Sequence, residues 1–443
     1  MSCAASSVTS SSLERLSGQR RRRASLFSQL SLGALAAAAP LDAVASPLPS
    51  WLGPAPPAVA ASAAATSARV LLVAAGAYSA YALTAGGQVW AWGDGLEGQL
   101  GDGLQYTMSV LPVPVRGLSG VSQLAASFNT AYAVRNRQVW AWGDDAQGQA
   151  GSGTAGYAQD RPQLVHHLAE VRAVAAGGYS AYALGARGQL WAWGDNSSGQ
   201  LGLRLSVAGS TTPRAISLGR LGRVAAIAAS TSTAYALGHN GTLWAWGDNA
   251  FGEAGGAATK TETPVPVAVP GLGKVVAVAA NGFTGFGLLR DGTVWAWGDN
   301  SFGELGPGPC RSTGGGARAG GAHTGKAGAG GCTASPWPKR VPGLDGVTAI
   351  AAGGESAYAL GAGGTVWAWG NNTYGQLGDG TTRSSPTPVR VTGLRHIVAL
   401  AAGGTSAYAL GAGGVLWAWG NNTYGQLGDG TIAPSDVPIR VKL

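Results

Sequence analysis

Charge is scarce in this chain of 443 residues, with Asp, Glu, Lys and Arg together at 11%. The formal net charge is +8, but Arg15 and Arg20 to Arg23 against Glu14 and Asp42 supply +3 of it, leaving +5 for everything after residue 45. That remainder contains no basic run, which argues against a nucleic-acid surface, normally a clustered stripe of Lys and Arg. Cysteine is nearly absent: Cys3, Cys310 and Cys332 are all there are. The five histidines, His166, His167, His239, His323 and His396, show no metal-ligand spacing. No metal, cofactor or catalytic constellation is therefore expected.

A long apolar run is also missing. The stretch from Leu26 to Ala39 falls short of the roughly 20 apolar residues that span a bilayer. It follows an Arg-rich start and precedes Ala43-Val44-Ala45, which is the layout of a secretory signal. Arg22-Arg23-Ala24-Ser25-Leu26 partly resembles a twin-arginine signal, with Ser25 where a bulky apolar residue is usual. The Ser-rich, acid-poor start also suits a transit peptide, including the kind that leads to a plastid lumen, and a disordered basic tail or nuclear signal at Arg20 to Arg23 is the plain alternative. Residues 1–45 are thus expected to direct export, to the periplasm or outside the cell, and 46–69 to form an Ala/Pro-rich linker.

What the chain does have is a period. Trp-Ala-Trp-Gly occurs seven times, opening at Trp90, Trp140, Trp191, Trp244, Trp295, Trp367 and Trp417. Their partners are Trp92, Trp142, Trp193, Trp246, Trp297, Trp369 and Trp419, so the motif takes fourteen of the sixteen tryptophans. Five of the six intervals are 50 to 53 residues and one is 72, the signature of one supersecondary unit repeated with a single insertion. A closed array of this kind can exceed the usual length of one domain.

The last unit reads most clearly. Ile397 to Ala402, Ser406 to Leu410 and Val415 to Trp419 are short strands, with both indoles of Trp417-Ala418-Trp419 on one face and the alanine on the other. Gly411 to Gly414 reads as a hairpin turn. Asn421-Asn422 and Gly425-Gln426-Leu427-Gly428 are turn residues. Pro438-Ile439-Arg440-Val441 is a fourth strand whose proline suits an edge. Four strands in each of seven units make an all-β, seven-bladed β-propeller, expected over residues 70–443 with a Gly-rich insertion at about 307–336. The units tile without remainder, and the ring could close either by a strand exchanged between its ends or with blades that coincide with units.

Gly292 to Gly306, Gly-Thr-Val-Trp-Ala-Trp-Gly-Asp-Asn-Ser-Phe-Gly-Glu-Leu-Gly, resembles the signature of the regulator of chromosome condensation repeat family, and the resemblance extends over all seven units. It implies a seven-bladed propeller that often serves as an interaction platform. One branch is a nucleotide exchange factor for a small GTPase, and a secreted bacterial branch includes an inhibitor of β-lactamases. Family repeats commonly carry a histidine just before the second strand, where this chain has Ser79, Thr130, Ser180, Thr233, Thr284, Ser356 and Ser406. These hydroxyls are expected to bond a neighbouring loop.

The acids after the tryptophans, Asp94, Asp144, Asp195, Asp248 and Asp299, give way to Asn371 and Asn421, which suits backbone capping better than acid-base work. Gly320 to Ala327 matches part of a phosphate-binding loop but ends in Ala327, without the metal-binding hydroxyl or the strand-to-helix context. The fourteen tryptophans are expected to pack between blades, each buried aromatic removing about 150 to 250 Å² from water, or roughly 4 to 6 kcal/mol before entropy. Trp244→Ala should then melt the domain early.

These features indicate a monomeric, non-enzymatic binding or scaffold propeller that recognises a protein or surface glycan partner through its loops. An exchange factor for a small GTPase or a chromatin-associated regulator is the alternative. Cys310 and Cys332 bracket the insertion and can close it as a disulfide, worth about 3 kcal/mol in chain-entropy terms; two unrelated cysteines in a tolerated insertion is the other reading. In non-reduced mature protein neither thiol should accept an alkylating reagent, and alkylation of both would exclude the bond.

Overall fold

The computed structural model describes residues 69–217, 219, 222–256, 261–307 and 334–443. The signal, the linker to residue 68, Cys310, Cys332, His323 and the Gly320 to Ala327 tract lie outside them. Seven antiparallel sheets, each of four consecutive strands, make seven blades. In blade 1 the strands are Val70–Ala75, Ser79–Thr84, Val89–Gly95 and Thr107–Pro114. The first strands of neighbouring blades contact one another and form the inner ring, while the fourth strands are half-exposed at the rim. Their prolines, Pro112 and Pro114 among them, sit where no outer partner needs an N–H.

Each Trp-Ala-Trp-Gly segment opens a third strand, and its two indoles have different surroundings. The second one is fully buried in every blade and meets the edge of an aromatic ring on the second strand of the preceding blade. Tyr81 and Trp142 are 5.9 Å apart between ring centroids, Phe286 and Trp369 6.1 Å, the edge-to-face geometry aromatic pairs favour. The first indole, Trp90 and its equivalents, is only half-buried. Seven of the fourteen tryptophans are thus the interblade core, and the other seven cover the outer flank of each blade, where Arg135 and Arg440 lie over Trp140 and Trp417.

The glycine that ends the motif is dictated by backbone. Gly93 has φ +98°, and a Cβ there would overlap the carbonyl oxygen of Tyr78; Gly194 and Gly420 repeat the arrangement against Tyr179 and Thr405. Only glycine tolerates that close approach with positive φ.

Ring closure follows the simpler of the two schemes. The first and last sheets are each built from consecutive strands, so blades coincide with sequence units and no strand is exchanged. Blade 7 joins blade 1 as any blade joins the next: the Trp92 indole donates to the Gln426 carbonyl at 2.8 Å, and Gly430 N–H donates to the Val110 carbonyl at 2.9 Å.

This distinction orders the tryptophan substitutions. Trp246→Ala removes a fully buried ring and its hydrogen bond and should cost about 3 to 5 kcal/mol. Trp244→Ala, at the half-buried position with an unpartnered indole nitrogen, should cost less. Chemical denaturation of the two variants checks the order, which equal losses would contradict.

Candidate functional site

The alternation of strand direction places two sets of turns on one end of the ring, called here the upper face: those joining first to second strands, and those that follow the tryptophans. The turn after each Trp pair is built by side-chain caps. Asp94 Oδ1 accepts the Leu96 N–H at 3.1 Å, Asp195 Oδ1 the Ser197 N–H at 3.0 Å and Asn421 Oδ1 the Thr423 N–H at 2.9 Å. Asp or Asn serves equally, as backbone capping requires.

The hydroxyls at the starts of the second strands divide into two kinds. Thr130, Thr233 and Thr284 donate to the carbonyls of Asp144, Asp248 and Asp299 at 2.9 to 3.0 Å, reaching the turn as expected. Ser79, Ser180, Ser356 and Ser406 instead share a hydrogen bond with the tyrosine hydroxyl two residues on, at 3.0 to 3.2 Å. That tyrosine carries the link to the turn, as Tyr81 does by donating to the Gln99 carbonyl at 2.7 Å.

A second group of aromatics breaks the repeat. At the position just before the second strand the seven blades hold Tyr78, Asn129, Tyr179, Ser232, Phe283, Glu355 and Thr405, and in the later turn Phe251, Phe302, Tyr374 and Tyr424 appear in four blades only. The fold brings several of these together across blade boundaries: Tyr78 lies 4.7 Å from Tyr424 between centroids, and Phe251 5.2 Å from Phe283. Burial, then Tyr424, Tyr374 and Asp94, push the Tyr78 phenol far above its usual range. The result is an aromatic arc from blade 4 round to blade 1, and Phe128 and Tyr179 make an edge contact at 5.2 Å farther on. The Trp period does not mark these residues; their signal in the sequence is variation at a fixed phase of the repeat.

The same turns, through the second glycine of each Gly-Gln-Leu-Gly-like segment, hold Asp94, Glu97, Asp144, Asp145, Asp195, Asp248, Glu253, Asp299, Glu304 and Glu355 and no Lys, Arg or His. Burial raises Asp94, and burial with Asp144 and Asp195 nearby raises the Tyr179 phenol. His166, His167, His239 and His396 lie exposed at the other end of the ring. Among the described residues no three metal-binding side chains come together.

Two of these acids replace an amide. In blades 1 to 3 the turn glutamine uses both ends: Gln200 Oε1 accepts the Ser198 N–H at 2.9 Å, and its Nε2 donates to Asp195 Oδ2 at 2.8 Å. In blade 4 Glu253 Oε2 takes the Phe251 N–H at 2.8 Å, and Oε1 stands without a partner where the amide NH₂ would be. Burial first, then Asp248, push the Glu253 carboxyl up to about 8, and Glu304 is raised by burial and Asp299 in the same way.

The profile of the RCC1-like domain matches residues 49–308, and that of the Regulator of chromosome condensation (RCC1) repeat matches residues 291–360, 363–410 and 413–443. The human E3 ubiquitin-protein ligase HERC2 is 31% identical over 310 residues, 69% of this chain and 5% of that protein. The human Probable E3 ubiquitin-protein ligase HERC6 is 30% identical over 41% of this chain and 16% of its own length. The Arabidopsis thaliana RCC1 domain-containing protein RUG3, mitochondrial, is 30% identical over 43% of this chain and 40% of its own. The chain thus spans less than half of each of these relatives. Among solved structures, human WBSCR16 superposes with a TM-score of 0.65 at 23% identity, covering 77% of this chain and 86% of that one. Prp20p from Saccharomyces cerevisiae gives 0.62 at 23% identity, covering 76% and 80%. These two show the fold.

Folded protein keeps the Glu253 proton up to about pH 8, whereas an unfolded glutamate loses it near pH 4.3, roughly its unperturbed pKa. Folding therefore takes up a proton between those values, and this contribution to stability is lost as pH rises through 8. Glu253→Gln restores the amide and should flatten that slope, gaining about 1 to 3 kcal/mol at pH 8 and little at pH 4. Urea unfolding at the two pH values measures the difference.

Proposed function

Because the chain belongs to the regulator of chromosome condensation (RCC1) repeat family, whose seven-bladed propeller it forms, we propose that it is a non-enzymatic binding propeller that recognises a protein through its upper face. The observation that carries this reading is the aromatic arc of Tyr78, Phe251, Phe283, Phe302, Tyr374 and Tyr424, set among carboxylates with no base in those turn segments up to the second glycine. Half-buried aromatics offer contact area at low entropic cost, and carboxylates around them favour a segment carrying Lys or Arg beside apolar groups. Asp94, Asp144, Asp195 and Asp248 each accept a backbone N–H, an arrangement suited to holding turns in place. Prp20p is described by its binding to Gsp1p and histones, so protein binding by this fold has precedent.

Export of the chain, with the plastid lumen as the alternative, belongs to the same proposal and rests on the composition of residues 1–45. N-terminal sequencing of protein recovered from separated compartments tests it.

Photo-crosslinking residues placed at Tyr78 and Tyr424 in the source cell should trap a defined protein. The same residue at Trp337, 52% exposed on the rim strand Ser335–Arg340, should not. Trapping of that protein equally from Trp337, or from the rim alone, would move the site off the upper face.

A further inference from the structure

The bases are scattered in sequence and gathered by the fold. The turns joining second to third strands, together with the starts of the first strands, make up the lower face, opposite the acids. From blade 2 to blade 5 Arg137, Arg172, Arg187, Arg223, Lys274 and Arg290 follow one another there, and all six are exposed.

Backbone contacts establish their continuity. Val171 N–H donates to the Arg137 carbonyl, and Ala186 N–H, beside Arg187, to the Glu170 carbonyl. Gly188 packs against Arg223, His239 N–H bonds the Arg223 carbonyl, Gly241 lies against Lys274, and Arg290 N–H bonds the Lys274 carbonyl. Two carboxylates lie along this path. Glu170 is held by the Arg137 guanidinium, and Asp291 accepts both the N–H and the hydroxyl of Thr293 at 3.0 and 2.7 Å.

Arg172 shows the crowding directly. Its Nη2 donates to the carbonyls of Val224 and Ala225, both at 2.9 Å, which fixes the guanidinium across the boundary between blades 3 and 4. Partial burial of its guanidinium, and then the neighbouring Arg223, lower its affinity for a proton. The two like charges are held together by the fold.

We propose that this lower-face arc is a second docking surface, separate from the upper face, and that it takes an extended acidic segment of a partner protein, Asp and Glu side chains pairing with successive guanidiniums. Arginine outnumbers lysine in the arc, and its planar fork matches carboxylates in pairs. The turns that carry Arg187 and Arg290 are tight, four-residue links, too short to enter a nucleic-acid groove. Among the described residues, none of the exposed aromatic side chains belongs to these turns, so the arc offers neither the fully exposed stacking platform single strands use nor the aromatic anchor of a bilayer interface.

A labelled oligoglutamate peptide is the probe, titrated against the full chain at low salt, with duplex DNA and phosphatidylserine vesicles as separate arms. Binding to oligoglutamate should weaken as salt is added and fall at least about tenfold in Arg187→Gln/Arg223→Gln. Arg383→Glu, in the upper-face turn of blade 6 and away from the arc, should leave it unchanged. Arg223→Gln should also melt no lower than the parent, because it relieves the crowding at Arg172. Retained peptide binding in the double variant, peptide binding weaker than that of either DNA or vesicles, or self-association of the chain that competes with the peptide would each overturn the proposal. Tyr78→Ala, on the upper face, should not affect peptide binding, so this result and the crosslinking result stand independently.

Discussion

The main-chain carbonyl of Gln99 accepts the Tyr81 hydroxyl from its own blade at 2.7 Å and the Trp142 indole N–H from the next at 2.9 Å, and the pattern recurs around the ring. Gln149, Gln200, Glu253, Gln376 and Gln426 each serve the same two donors. The donors are fully buried, and a buried N–H or O–H left unpaired costs about 1 to 3 kcal/mol. No blade can therefore satisfy its own tryptophan, and the ring has to close for the last one to be satisfied. Phe286 is the exception that shows which partner is essential: blade 5 has no hydroxyl there, yet the Glu304 carbonyl still receives Trp369.

Since packing is carried by this carbonyl and by the glycine at the end of each motif, positions beside them are released from it. The residue before the second strand is Tyr, Asn, Ser, Phe, Glu or Thr according to the blade, and none of these changes alters where the second strand pairs with the third. A repeat fold differentiates its faces by such substitutions at a fixed phase. The fold thus places the aromatic arc and its acids at one end of the ring and the arginine arc at the other while each sheet keeps the same order of strands.

That logic also explains what the sequence could and could not disclose. The period, the paired indoles and the turn glycines each have one physical solution, so seven four-stranded blades were legible before any coordinates. The split between Trp92 and Trp90 was not, because alternation puts both indoles on one face and only the neighbouring blade decides which is covered. The mode of closure depended on the Trp92 to Gln426 contact, between residues more than 300 positions apart. The lower-face arc was hidden for a related reason: Arg172 and Arg223 lie in different blades and form no run. The +5 is diffuse along the linear chain, and the fold gathers part of it.

The two ends face the same problem, like charges held close in a charge-poor chain, with different chemistry available. A carboxyl can shed its charge by taking a proton, and Glu253 against Asp248 does so with little change of shape, standing in for the amide of Gln99, Gln149 and Gln200. A guanidinium keeps its charge at any physiological pH, so that route is closed to Arg172. Its remaining options are polar groups of the protein, and the Val224 and Ala225 carbonyls already serve it, or an anion from outside. The acidic end is therefore the one able to relax internally, and the basic end is the one whose crowding is best relieved by a partner.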